Sequence, residues 1–204
     1  SMPDPKPTWP IEPAAIHSDR NRNLYVIDRR NDQVHVFDQS MKYVRSWGKH
    51  GGGNGEFRGP TDLSFSKSGE TVFVVDSLNR RVQAFDLRGT PQNSWRIEGS
   101  NAGALAKPFG ITSGKDGFVY VTDSAGGRVL KFDEQGTFIK QWSEAGGKMG
   151  QLWKPRGISQ DENLRVFVID QGNHRAQIFD MNGNWLVTFG AGAAYTPNSM
   201  PRNE

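Results

Sequence analysis

The chain of 204 residues contains no cysteine. Disulfides and thiolate metal sites are therefore excluded, while the redox compartment stays open. It has no apolar run near the roughly 18 residues that a membrane helix needs, so no membrane association is expected. No secretion signal is visible. Ser1-Met2 ahead of Pro3 reads as a cloning remnant, which leaves an export signal upstream, and with it the localisation, open. Neither sign of charge dominates: 25 basic residues face 22 acidic ones, a net +3. Bulk charge thus gives no polyanion binder. There is no Gly-x-Ser-x-Gly nucleophile motif and no Gly-x-x-x-x-Gly-Lys phosphate cradle. The stretch Gly51–Gly55 lacks both the Lys-Ser/Thr and the helix that would make it one, so it reads as a loop.

What the chain does have is a repeat. The stretch Val166-Phe-Val-Ile-Asp170 is an apolar run ending in Asp, followed by Asn173-His-Arg175 and a second run ending Phe179-Asp180. The Asp closing the first run recurs at Asp28, Asp76, Asp123 and Asp170, in steps of 48, 47 and 47. Asp38, Asp86, Asp133 and Asp180 keep the same steps, as do Trp47, Trp95, Trp142 and Phe189. A proline opens each copy, at Pro13, Pro60, Pro108 and Pro155. A period in the forties with several strands per copy is that of a propeller blade. The 24 glycines and 11 prolines fit frequent turns. The low hydrophobic content, 35%, suits many short strands that each bury only some residues.

The predicted fold is all-β: a β-propeller with four blades of four antiparallel strands each, or a four-blade segment of a larger ring. Residues 1–12 are proline-rich and extended. The propeller spans 13–190, with blades at about 13–56, 57–103, 104–150 and 151–190, and 191–204 form a polar tail. Predicted innermost strands are Ala14–His17, Thr61–Phe65, Gly110–Thr112 and Gly157–Ser159. Each blade's second strand is apolar on both faces (Val72-Phe-Val-Val75, for example), as burial between neighbouring blades requires.

On these residues the chain resembles the NHL repeat family of β-propellers. The resemblance rests on Pro155-Arg-Gly-Ile158, Val168-Ile-Asp170, Asn173-His-Arg175, Ile178-Phe-Asp180 and Phe189-Gly190 in blade four, and on Asn79-Arg-Arg81 in blade two. Blade three departs, with Gly126-Gly-Arg128, and blade one departs further, with Asn31-Asp-Gln33. The resemblance covers about residues 13–190 and implies the fold rather than a function. Family members are commonly six-bladed rings. With four repeats, the alternatives are a compact closed ring, a segment of a longer propeller, and an arc completed by a second chain, that is, a homodimer.

Two readings compete for the strand-ending aspartates. Four symmetric carboxylates could hold a cation, but a feature present in every blade is more simply architectural. In that reading each Asp binds its own turn or the Arg five residues on (Arg81, Arg128, Arg175; Gln33 in blade one). The residue after the opening proline differs in every blade: Ala14, Thr61, Phe109 and Arg156. The family's geometry places this position at the mouth of the central channel, so Thr61, Phe109 and Arg156 are candidate binding residues. A basic and aromatic rim adds Arg29, Arg30, Arg58, Arg80, Trp153 and His174, with Asp32, Glu56 and Asp62 as acidic counterweights.

The expected function is non-catalytic: a binding or scaffold module that engages a protein or peptide partner on its loop face. Two alternatives follow from the resemblance. Peptidyl-hydroxyglycine amidating lyases are similar propellers with zinc-binding histidines after the opening proline. None of the four positions here is His, although Pro60-Thr-Asp62 is lyase-like. Some NHL domains bind single-stranded RNA on the loop face, where Arg meets phosphate and aromatics stack on bases. No cofactor or metal is expected for the binding module; a zinc or calcium site belongs to the lyase alternative alone.

Overall fold

A computed structural model describes residues 10–96 and 104–190, and the backbone of 193–195. The chain forms two compact units, residues 1–97 and 98–204. Each unit holds two propeller blades, and all four blades are sheets of antiparallel strands in sequence order. Blade one comprises β1 (Pro13–Ser18), β2 (Leu24–Asp28), β3 (Gln33–Phe37) and β4 (Tyr43–Trp47). Blade two comprises β5 (Pro60–Phe65), β6 (Thr71–Asp76), β7 (Arg81–Asp86) and β8 (Pro91–Trp95). Blade three comprises β9 (Pro108–Ser113), β10 (Phe118–Asp123), β11 (Arg128–Asp133) and β12 (Phe138–Trp142). Blade four comprises β13 (Pro155–Gln160), β14 (Val166–Asp170), β15 (Arg175–Phe179) and β16 (Trp185–Gly190), extended by β17 (Ala193–Tyr195).

The propeller-type, all-β fold expected from the repeat is thus present. The innermost strands start earlier than predicted, at the opening prolines themselves: Pro60 pairs with Asp76 and Pro155 with Asp170. Proline suits that place because an edge strand can spare an amide. Residues 193–195, inside the expected tail, pair with β16 as a fifth strand and occupy its free edge.

In unit 1 the core lies between the two sheets. Tyr25 and Ile27 of β2, with Val34 and Val36 of β3, meet Leu63, Val72, Val74, Phe85 and Phe57 of blade two. Successive residues of a strand point to opposite faces, so β6 can bury Val72 and Val74 on one side and Phe73 and Val75 on the other. In unit 2, Tyr120, Val129 and Trp142 of blade three meet Val166, Val168, Phe179 and Leu152.

Each Phe-Asp pair opens a tight turn. Each Asp accepts the amides two and four residues on, as Asp180 does from Asn182 and Asn184, both at 2.8 Å. In blades two and four the glycine that follows carries the blade contact. A Cβ at Gly89 (φ +91°) would lie 2.6 Å from the Trp47 indole of blade one, and one at Gly183 (φ +83°) 2.5 Å from Trp142 of blade three. Backbone sign and close approach both demand glycine there. Gly52 has a normal φ, and a Cβ on it would meet only Asn79, at 3.7 Å. Gly183→Ala should therefore lower stability by about 1 kcal/mol or more, while Gly52→Ala stays near neutral, in urea unfolding.

Candidate functional site

The loops at one end of each blade are fixed by the repeated aspartate. Asp28, Asp76, Asp123 and Asp170 are fully buried. One carboxylate oxygen of each accepts an amide from the loop leading into its own blade. Those donors are Glu12 to Asp28 (3.1 Å), Arg58 to Asp76 (2.7 Å), Lys107 to Asp123 (2.8 Å) and Trp153 to Asp170 (2.6 Å). The second oxygen takes side chains. In blade four it accepts Asn173 Nδ2 (2.8 Å), Arg175 Nε (2.7 Å) and Gln177 Nε2 (3.2 Å). Blade two repeats this with Asn79 (2.9 Å), Arg81 (2.7 Å) and Gln83 (3.3 Å). Arg175 also donates to the carbonyls of Gly147, Lys148 and Gln151, tying down the glycine-rich loop.

The architectural reading of these aspartates holds, and the Asp–Arg pairs expected at Arg81, Arg128 and Arg175 all form. The Gln seven residues after the Asp completes the set and was missed. Its period was in the sequence at Gln83 and Gln177, but nothing there said which way it points. Blade one differs most. Gln33 replaces the arginine, and fully buried His35 lies 3.1 Å from Asp28. Burial pushes the Asp28 carboxyl up, but hydrogen bonds from Asn31, the Glu12 amide and His35 outweigh it and hold the group below the ordinary carboxylate range.

The residues after the opening prolines fall into different environments. Ala14 is exposed and Thr61 is 3% exposed. Phe109 and Arg156, both half-buried, come together: the guanidinium lies over the phenyl ring, 4.2 Å from its centroid. Such stacking contributes about 0.5–2 kcal/mol. Arg156 Nε is buried without a hydrogen-bond partner. Its carbonyl accepts the Thr122 hydroxyl at 2.6 Å and leaves no room for a Cβ on Gly110, 2.2 Å away. The main chain at Arg156 is thereby pinned while its cation is left without an acid among the described residues.

In the same unit Trp153 is 47% exposed. Its amide is held by Asp170, and its carbonyl accepts the Gly172 amide at 2.7 Å. A Cβ on Gly172 would fall 2.1 Å from the indole, so only glycine admits this ring position. His174, at φ +53°, is exposed.

In unit 1 the basic rim is assembled at one end. Arg29 and Arg30 follow Asp28, and the Arg30 amide donates to it. Arg58 bonds Asp76 through its amide and Leu78 through its carbonyl, next to Arg80 at φ +55°. All four arginine side chains are exposed, with no acid partner among the described residues. The acidic counterweights are engaged elsewhere. Asp32 binds His50 (2.6 Å) and the Gly59 amide (2.7 Å), Asp62 binds His17 (3.1 Å), and Glu56 binds the Gly53 amide (2.8 Å) and Lys49 (3.3 Å). The Gly53 amide first, then Lys49, holds the Glu56 carboxyl below its usual value. Leu78, 62% exposed beside these arginines, was not foreseen, because a lone Leu in a polar turn carries no sequence signal. Among the described residues no three His, Asp or Glu side chains are grouped as a metal site requires. No helix among them is long and apolar enough to cross a membrane.

Removing one hub carboxylate leaves a buried guanidinium unpaired. Asp170→Ala should cost about 3–5 kcal/mol in denaturant unfolding, and Asp161→Ala, whose ion pair with Arg165 is partly exposed, far less.

A family profile described as "6-bladed beta-propeller" (DUF5128) matches residues 15–106. No curated protein matches the chain. Among solved structures, a streptogramin B lyase superposes with a TM-score of 0.72 at 13% identity, over 93% of this chain and 58% of the other. A catalytically inactive virginiamycin B lyase from Staphylococcus aureus, solved with quinupristin, gives 0.71 at 13% identity, over 92% and 58%. The hydrazine synthase of Kuenenia stuttgartiensis gives 0.67 at 14% identity, over 87% and 49%. The chain thus spans little more than half the length of these lyases, and at such identities the likeness is one of β-propeller fold.

Proposed function

We propose that the chain is an NHL-type propeller segment acting as a non-catalytic binding module, whose loops engage an anionic ligand, first of all a carboxylate-bearing peptide or protein segment. The single observation that carries this is Arg156. Its guanidinium is held over Phe109 with a buried, unpartnered Nε and no neighbouring acid among the described residues. A fixed, unpaired guanidinium fits a carboxylate with little ordering cost. The Asn-x-Arg elements support the NHL assignment. Asn79 and Arg81, like Asn173 and Arg175, join the strand-ending Asp to the lead-in loop, a job that explains their spacing.

A second reading, single-stranded RNA, is favoured by one observation. Arg29, Arg30, Arg58 and Arg80 are exposed without acid partners among the described residues, while Asp32, Glu56 and Asp62 are already paired. The lyase reading gains no comparable support: His17, His35 and His50 each pair with a different aspartate.

The test uses fluorescence anisotropy with a labelled oligoglutamate peptide and a labelled oligouridylate, each over a range of salt. Arg156→Ala and Phe109→Ala should keep the wild-type melting temperature within a few degrees and weaken peptide binding about tenfold. If peptide affinity is unchanged, or either variant unfolds, the position is architectural and the proposal fails. Oligouridylate binding that falls steeply with salt and is lost on Arg58→Ala and Arg80→Ala would make RNA the ligand instead.

A further inference from the structure

Each lead-in loop sets one residue with its amide on the buried aspartate of its blade: Glu12, Arg58, Lys107 and Trp153. All are exposed, and the first three are charged. Trp153 instead sets a broad apolar ring at this place, and 47% of the residue is left to solvent.

The fold holds that ring in one position. The Trp153 amide donates to Asp170 at 2.6 Å, and its carbonyl accepts the Gly172 amide at 2.7 Å. Gly172 is not required by its own backbone, because its φ is not positive. The ring requires it: a Cβ there would fall 2.1 Å from the indole. The corresponding residue is Ala125 where the lead-in residue is Lys107, and Leu78 where it is Arg58. Glycine thus accompanies the indole. A ring that lies against its turn, stays half in solvent and cannot shift its main chain is a preorganised stacking surface.

A second fixed group follows three residues on. Cα atoms at that separation lie within roughly 11 Å of each other. Arg156 holds its guanidinium over the Phe109 ring, with Nε buried and unpartnered. The other arginines described in unit 2, Arg128, Arg165 and Arg175, are all paired with aspartates. A polyanion is held by a row of cations. The exposed arginines that could form such a row, Arg29, Arg30, Arg58 and Arg80, are all in unit 1. What unit 2 offers is one planar cation near one indole, which fits one carboxylate and one ring.

We propose that Trp153 and Arg156 together recognise a short acidic peptide motif. An aromatic side chain of the peptide stacks on the Trp153 indole, and a carboxylate about three residues away pairs with the Arg156 guanidinium. An extended peptide advances about 3.3 Å per residue, which matches the separation of the two groups. The inference rests on the carboxylate reading of Arg156 and adds the ring beside it.

Fluorescence anisotropy with two labelled peptides tests this: an oligoglutamate with one central Phe, and the same peptide with Ala in that place. Wild type should bind the Phe peptide about five- to tenfold more tightly. Trp153→Ala should bind both alike, at the wild-type affinity for the Ala peptide, and Trp153→Phe should restore part of the preference. Arg156→Ala should weaken both peptides while still favouring Phe. If Trp153→Ala misfolds, Gly172→Ala, which displaces the indole, carries the same test, with loss of the Phe preference expected. Equal wild-type affinity for the two peptides, or a preference that survives Trp153→Ala, overturns this inference and leaves the carboxylate reading standing. Binding of neither peptide through Arg156 overturns both. A labelled oligouridylate that binds through Trp153 more tightly than the Phe peptide would make the stacked ring a base, and would overturn it as well.

Discussion

A buried carboxylate at the end of each blade's second strand ties the loops to the sheets. Burying an unpaired charge costs several kcal/mol, so each of these aspartates must be saturated with donors. Asp170 takes the Trp153 amide on one oxygen and Asn173, Arg175 and Gln177 on the other. The donors come from both the lead-in loop and the following turn, so satisfying the charge fixes both. The same arginine then reaches three loop carbonyls. Glycine-rich connections that would otherwise be loose acquire one conformation.

This constraint separates residues that hold the fold from residues left for contact. In Asn173-His174-Arg175 the outer two are consumed by Asp170, while His174 sits in the left-handed region and faces solvent. Asn79-Arg80-Arg81 divides in the same way. Blades two and four match further: Gln83 repeats as Gln177, and the lead-in bridge His50–Phe57 repeats as Ala145–Leu152. Each compact unit is therefore a variant blade followed by a complete one. Against that background the differences stand out. Arg58 is matched by Trp153, and Leu78 by Gly172, the glycine that makes room for the indole.

The blades and strand positions were legible because the period is carried by residues that the fold cannot exchange. Asp is needed to collect amides, Phe to fill the core, and glycine to lie under an indole. The architectural role of Asp28, Asp76, Asp123 and Asp170 followed from their repetition. The pairing of Phe109 with Arg156 did not, because the two residues are a whole repeat apart and only blade packing brings them to 4.2 Å. The acidic residues weighed against the rim, Asp32, Glu56 and Asp62, were equally opaque, since their partners His50, Lys49 and His17 lie at no repeating offset.

The central claim is that buried aspartates preorganise the loops that carry the candidate contacts. Native-state hydrogen exchange at the Arg58, Lys107 and Trp153 amides tests it most directly, because each donates to one of these carboxylates while its own side chain or neighbours are exposed. The account predicts protection at these three amides comparable to that of the second-strand amides, close to the limit set by global unfolding. Exchange at the rate of ordinary surface loops would contradict it, and the loop face would then have to be ordered by its ligand rather than by the fold.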